Sequence, residues 1–240
     1  MEHVVKIRQP LGHVVRVGHK GAAALAPENS LEALRSGIEH GVDLVEFDVV
    51  ERSDGVLVLA HSPGEIIAGS PTLADALDLV ARAARQVGID LDLKLPGYED
   101  RALTMVGDHD LLDRTLVCSL FPGSLRTARR LHPGSTLGLS YPLDRHGVGE
   151  RPWARPAVAI GVAALRAALP RRIVRLVRAA TADVAVLHYS VISRETVVRC
   201  HRADIPVLAW TVDHADVLRA VVAAGVDGVI TNNPLILHAA

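Results

Sequence analysis

Short runs of β-branched and aliphatic residues alternate with amphipathic stretches along the chain. Residues 14–17, 42–49, 89–94, 115–120, 136–141, 184–188, 206–210 and 227–231 have the length and composition of buried strands. Between them, residues 30–40, 73–86, 99–109, 123–131, 193–202 and 215–224 carry helical periodicity. In the second of these helices Leu73, Ala76, Leu77, Val80 and Ala84 form one apolar stripe. The first starts near Ser30, with Asn29 and Glu32 in capping-box spacing. The longest interval, 142–181, contains Pro142, Pro152, Pro156 and Pro170 and has room for one or two helices.

A ninth strand, 56–61, follows 42–49 through the turn Ser53-Asp54-Gly55. A parallel crossover needs a dozen or more residues, so this strand is expected to fold back as an antiparallel hairpin arm. Eight βα units remain, the pattern of a (β/α)8 barrel. A doubly wound open sheet is the alternative, but no glycine-rich phosphate loop follows any strand.

Length agrees with this: 240 residues suit one barrel domain spanning 1–240. Apolar residues make up 49 % and charged residues 22 %, a globular balance. The net charge of −1 offers no basic field for a polynucleotide, so nucleic acid is excluded as a partner. Cys118 and Cys200 form no metal or disulfide pattern and suit a reducing compartment. Residues 1–10 lack the apolar core of a signal peptide, and 156–169 is interrupted by Arg166. A cytoplasmic location is expected.

Barrel chemistry sits where strands end at the C-terminal face. Those ends read His19-Lys20, Glu46-x-Asp48, Asp92-x-Lys94, Ser119, Ser140-Tyr141, His188-Tyr189, Trp210-Thr211 and Thr231-Asn232. Glu46 and Asp48 share a strand face, as do Asp92 and Lys94. If that face is the barrel interior, three carboxylates and an ammonium converge. Like charges gathered there call for a cation, and an all-oxygen set favours Mg²⁺ or Ca²⁺ over zinc. A salt-bridge network of Asp92, Lys94, Glu46 and an arginine is the bland alternative. The hairpin adds His61 to the same level, across from Glu46 or Phe47, while His19 arrives from the first strand. Two histidines flanking such a site suit opposite ends of a proton transfer. Of 26 basic residues only Lys6, Lys20 and Lys94 are lysines, and two of them stand at this mouth, where a compact charge can meet a phosphate oxygen.

Gly18-His19-Lys20-Gly21, Ala26-Pro27-Glu28-Asn29-Ser30 and Gly41-Val42-Asp43-Leu44-Val45-Glu46-Phe47-Asp48-Val49 resemble the opening of the glycerophosphodiester phosphodiesterases. Asp54-Gly55 with His61, Asp92-x-Lys94, Trp210-Thr211-Val212 and 225–231 continue the resemblance. It implies a (β/α)8 barrel that hydrolyses glycerophosphodiesters, small-molecule substrates, to glycerol 3-phosphate and an alcohol with Mg²⁺ or Ca²⁺. By the same resemblance His19 and His61 are the acid–base pair, and Glu46 and Asp48 are metal ligands. Asp92 stands in place of a third, glutamate ligand. Lys94 lies near the phosphate, and Trp210 forms part of the substrate wall.

The departures from the family pattern bear on substrate. Lys20 replaces an arginine and loses its bidentate fork. Asp92 is one methylene shorter than glutamate, Ser62 and Asn232 replace aspartates, and the family's insertion after the second histidine is reduced to residues 62–71. A wider mouth fits lysophospholipids or phosphoinositol-type substrates as an alternative, with residues 142–181 as a substitute lid. A non-catalytic phosphodiester-binding barrel is a further alternative. Arg171, Arg172, Arg175 and Arg178 could meet a membrane surface, although a solvated outer barrel helix is the expected reading.

Overall fold

A computed structural model describes residues 14–83, 87–143 and 155–238. The β-branched runs form β1 (Val15–Gly18), β2 (Leu44–Glu51), β3 (Leu57–Leu59), β4 (Gly88–Leu93), β5 (Thr115–Ser119), β6 (Thr136–Tyr141), β7 (Val184–His188), β8 (Val207–Trp210) and β9 (Gly228–Thr231). Eight of them are parallel and close into a ring, β1-β2-β4-β5-β6-β7-β8-β9, sealed by Val17 opposite Leu44 and Val15 opposite Gly228. The helices α1 (Leu31–Glu39), α2 (Leu73–Arg82), α3 (Glu99–Asp108), α4 (Pro122–Leu131), α5 (Arg155–Ala168), α6 (Ile173–Ala179), α7 (Arg194–His201) and α8 (Ala215–Ala224) complete the units. The expected barrel is the observed fold.

β3 is the extra strand, antiparallel to β2, with Val49 opposite Leu59 and Glu51 opposite Leu57. Its position has a simple cause. β1 stops at Gly18, opposite Val45, which leaves the upper edge of β2 unpaired; the turn after β1 and then the hairpin arm cover it. The arm is shorter than residues 56–61, so His61 lies just past it, held by the Ala60 N–H donating to the Asp48 carbonyl at 3.2 Å.

Two apolar clusters result from strand alternation. The outer one, including Phe47, Leu77, Leu91, Leu103 and Leu125, lies between barrel and helices. The inner one consists of Val15, Val17, Leu44, Leu116, Cys118, Val184, Val186, Leu208 and Ile230. Inward positions are thus apolar low in the barrel, and on β2 and β4 the same column turns acidic above them. Gly138 belongs to this interior, where a Cβ would meet Cys118 Sγ at 2.5 Å.

The first helix differs in detail from expectation. Ser30, not Asn29, caps α1 by accepting the Ala33 N–H at 3.1 Å. Asn29 adopts φ 56° and turns its amide inward, a conformation that asparagine tolerates. A capping box does exist one helix later, between Thr72 and Asp75 at the head of α2. α2 ends at Arg82; the expectation that it reaches 86 falls partly on residues outside the described ones, and the readings of 1–10 and Pro152 fall wholly outside them. In α6 the side chains of Ile173 and Val177 are buried while Arg175 and Arg178 are exposed, the packing of an outer barrel helix. Among the described residues no helix is long and apolar enough to cross a membrane.

Candidate active site

The acidic column opens into a cavity of about 410 Å³ at the C-terminal ends of the strands. Glu46 is opposite Asp90 and Asp48 opposite Asp92 on neighbouring strands, so four carboxylates project inward in two adjacent rows. One oxygen each from Glu46, Asp48 and Asp92 lies within 4.8 Å of the others. No arginine lines the cavity among the described residues; its cations are Lys20 and Lys94. Lys94 Nζ lies 3.2 Å from Asp48 Oδ1 and 3.0 Å from Asp92 Oδ2.

The electrostatics follow from burial and crowding. Burial and the neighbouring Asp48, Asp90 and Asp92 raise the Glu46 carboxyl well above its usual range. Burial likewise pushes Asp90 to about 7, with Asp92 and Asp48 adding to it against a hydrogen bond with Cys118. Burial also acts upward on Asp48, yet its contacts with His61, Lys94 and Asn29 outweigh that and hold it ionised well below the usual range. Burial alone would lower Lys94, but Asp92, Asp48 and Glu46 raise it above an ordinary ammonium. Asp92 Oδ1 is buried without a hydrogen-bond partner, as is Asp90 Oδ1. A hard divalent cation fits this donor set: three converging carboxylates, all oxygen, one of them with an orphaned acceptor. Glu46, Asp48 and Asp92 therefore form a candidate divalent-metal site.

Both histidines flank it, each anchored through Nδ1. His19 Nδ1 lies 2.7 Å from Asn232 Oδ1, and its Nε2 is 3.9 Å from Glu46 Oε2. Burial, the largest influence, lowers its pKa below the ordinary 6.5. His61 Nδ1 lies 3.2 Å from Asp48 Oδ2, on a side chain 49 % exposed at the cavity mouth. The Lys20 backbone N–H donates to Glu46 Oε2, while its ammonium donates to Glu28 at 2.8 Å and stands 4.0 Å from Asp48. Opposite the charged side, Leu120, Val186, Trp210 and Ile230 form an apolar wall. Trp210 is fixed by donating Nε1–H to the Val186 carbonyl and by the edge-on ring of His188 at 5.2 Å.

All eight residues singled out from the sequence thus line or frame one cavity: His19, Lys20, Glu46, Asp48, His61, Asp92, Lys94 and Trp210. Three further polar residues in the same network were given no role in the site by the sequence. Asp90 shares the parity of Asp92 and could have been found from it. Asn29 donates to Asp48 Oδ2 and accepts the Asp48 N–H, both at 3.0 Å. Asn232 holds His19 from the far end of the chain, a contact with no local signal. Of the described residues in 142–181 only Pro142 lines the cavity, and residues 144–154 of the expected lid lie outside the described ones.

Residues 19–77 and 206–234 match models of the glycerophosphoryl diester phosphodiesterase family. These two segments contain His19, Glu46, Asp48, His61 and Trp210. A glycerophosphodiester phosphodiesterase of Caldanaerobacter subterraneus subsp. tengcongensis is 26 % identical over 91 % of this chain and 93 % of its own. Among solved structures, a glycerophosphodiester phosphodiesterase from Parabacteroides distasonis superposes with a TM-score of 0.73 at 20 % identity, covering 94 % of this chain and 97 % of that one. An Oleispira antarctica phosphodiesterase in complex with the product sn-glycerol-3-phosphate gives 0.71 at 20 %, covering 93 % and 95 %. At such identities the two structures establish the shared fold.

Proposed function

The chain belongs to the glycerophosphoryl diester phosphodiesterase family, and we propose that it hydrolyses glycerophosphodiesters to glycerol phosphate and an alcohol. The observation that carries this reading is the convergence of Glu46, Asp48 and Asp92 with two histidines in one cavity. The three carboxylates would hold Mg²⁺ or Ca²⁺, hard ions suited to oxygen ligands. When bound, such an ion polarises phosphoryl oxygens and offsets the charge that builds on them.

The side chains divide the remaining work by environment. His19 is buried against a neutral amide and its pKa is lowered, so its ring is neutral and can take a proton. It removes one from the attacking water. His61 faces the ionised Asp48, whose negative charge complements a ring that carries a proton. It passes that proton to the alcohol oxygen as the P–O bond breaks, and exchange with solvent restores both rings. Lys94 and Lys20 face the developing negative charge at phosphorus. Trp210 and the apolar wall exclude water from the side away from the carboxylates.

The test is glycerol 3-phosphate release from glycerophosphocholine and glycerophosphoethanolamine, with Mg²⁺ or Ca²⁺ and with EDTA. Metal-dependent release that EDTA abolishes is expected. Release of lysophosphatidic acid and the free alcohol from lysophospholipids, with no glycerol 3-phosphate from the two smaller diesters, would move the substrate class to larger diesters, in keeping with the exposed His61. Tight binding of these diesters with no cleavage under either metal would overturn the hydrolase reading.

A further inference from the structure

His19 is held by a chain of hydrogen bonds that runs away from the cavity. Its Nδ1 is 2.7 Å from Asn232 Oδ1, and Asn232 Nδ2 donates to Asp213 Oδ2 at 2.7 Å. Asp213 Oδ1 in turn accepts the Asn232 backbone N–H at 2.8 Å and the Thr231 hydroxyl at 3.1 Å. An ionised carboxylate only accepts, so the NH₂ of Asn232 must face Asp213. The amide oxygen must then face His19, and because that oxygen has no proton to give, Nδ1 must carry one. In the neutral ring Nε2 is left bare on the side of Glu46 and the cavity.

We propose that Asn232, oriented by Asp213, is a positioning residue that locks His19 in its Nδ1–H tautomer with Nε2 turned toward the reacting oxygen. The backbone reinforces the arrangement. The His19 N–H donates to the Thr231 carbonyl and the Ala24 N–H to the Asn232 carbonyl, which ties the chain after β1 to the end of β9. Neither Asn232 nor Asp213 lines the cavity, so both act through His19. This inference rests on the reading of His19 as the base, but its first test does not need turnover.

In metal-free protein at about pH 8, where an imidazole is neutral, ¹⁵N NMR of the histidine side chains reports the His19 tautomer directly. The wild type is expected to show protonated Nδ1 and bare Nε2. In Asn232→Leu the two tautomers should mix, and kcat should fall by about 10–100-fold with KM little changed. Asn232→Asp alone sets two carboxylates together and should lose activity to a similar degree. The double exchange Asp213→Asn with Asn232→Asp restores a donor against an acceptor and should recover most of kcat, a rescue that loss of packing would not show. A wild-type Nε2–H tautomer overturns the proposal. So does Asn232→Leu with unchanged tautomer and kcat or, should that variant not fold, a folded double exchange whose His19 is not Nδ1–H. Because the spectrum is read without substrate, a wild type that cleaves no diester sinks the catalytic reading and leaves the tautomer to be judged by itself.

Discussion

Asp48 lies where six other side chains meet. It accepts from Asn29 at 3.0 Å and His61 at 3.2 Å, faces Lys94 at 3.2 Å and Lys20 at 4.0 Å, and shares a metal-sized space with Glu46 and Asp92. A residue so placed must be oriented before it can serve. Asn29 does this with both ends of its amide, so Asn29→Ala is expected to weaken metal affinity about 10–100-fold, measurable by calorimetry with Mg²⁺ or Mn²⁺. His19→Ala and His61→Ala should each lower turnover at least about 100-fold while leaving the far-ultraviolet circular dichroism intact. Unchanged turnover in either would remove that residue from the proton transfer. At this scale the sequence was legible for residue type and parity: Glu46 with Asp48, and Asp92 with Lys94, face inward together because alternate strand residues must. It was less legible for partners. Nothing local says that Asn29 bonds Asp48, or that Asn232 reaches a histidine more than two hundred positions away.

Among the elements, the short β1 and the turn after it set the geometry of the site. Gly21 has φ +87°, and a Cβ there would lie 2.4 Å from the Ala33 carbonyl carbon in α1. That close approach lets the Gly21 N–H donate to the Glu46 carbonyl at 2.8 Å, which brings His19 and Lys20 beside the carboxylates. Gly21→Ala is expected to destabilise the fold by at least about 2 kcal/mol in urea unfolding, from backbone strain together with the clash. The hairpin arm was readable in advance because a three-residue turn permits only an antiparallel return. Its exact length was not. β3 ends at Leu59, where the chain must turn to present His61 to Asp48 rather than continue along β2. The cap of α1 was misplaced by one residue for a related reason: Asn29 had a better partner inside the barrel than at the helix end.

For the whole molecule, closing the barrel concentrates acid where water is scarce. Asp90 titrates near 7 in the fold against an ordinary value of 3.8. Between about pH 4 and pH 7 the folded chain therefore holds a proton that the unfolded chain has released. Its contribution to stability is complete below that window and is lost as pH rises through it. Urea unfolding in EDTA should show this decline, and Asp90→Asn should flatten it; an unchanged slope would argue against the buried carboxylic acid. Bound metal works in the opposite sense, since it favours the ionised cluster, and at a hundred times its Kd it should add about 2.7 kcal/mol. A melting temperature indifferent to Mg²⁺, Ca²⁺ and EDTA would count against the metal site. The alternation of strands and helices, the inward parity of Glu46, Asp48, Asp92 and Lys94, and the backward arm bearing His61 were determined by the sequence itself, because each is a local periodicity or a turn too short for alternatives. Which of those groups meet was decided only by ring closure. Joining β1 to β9 and β2 brings residues 19, 46, 92 and 210 around one cavity with Asn232 behind His19, and it is the shared burial that shifts the carboxyl groups.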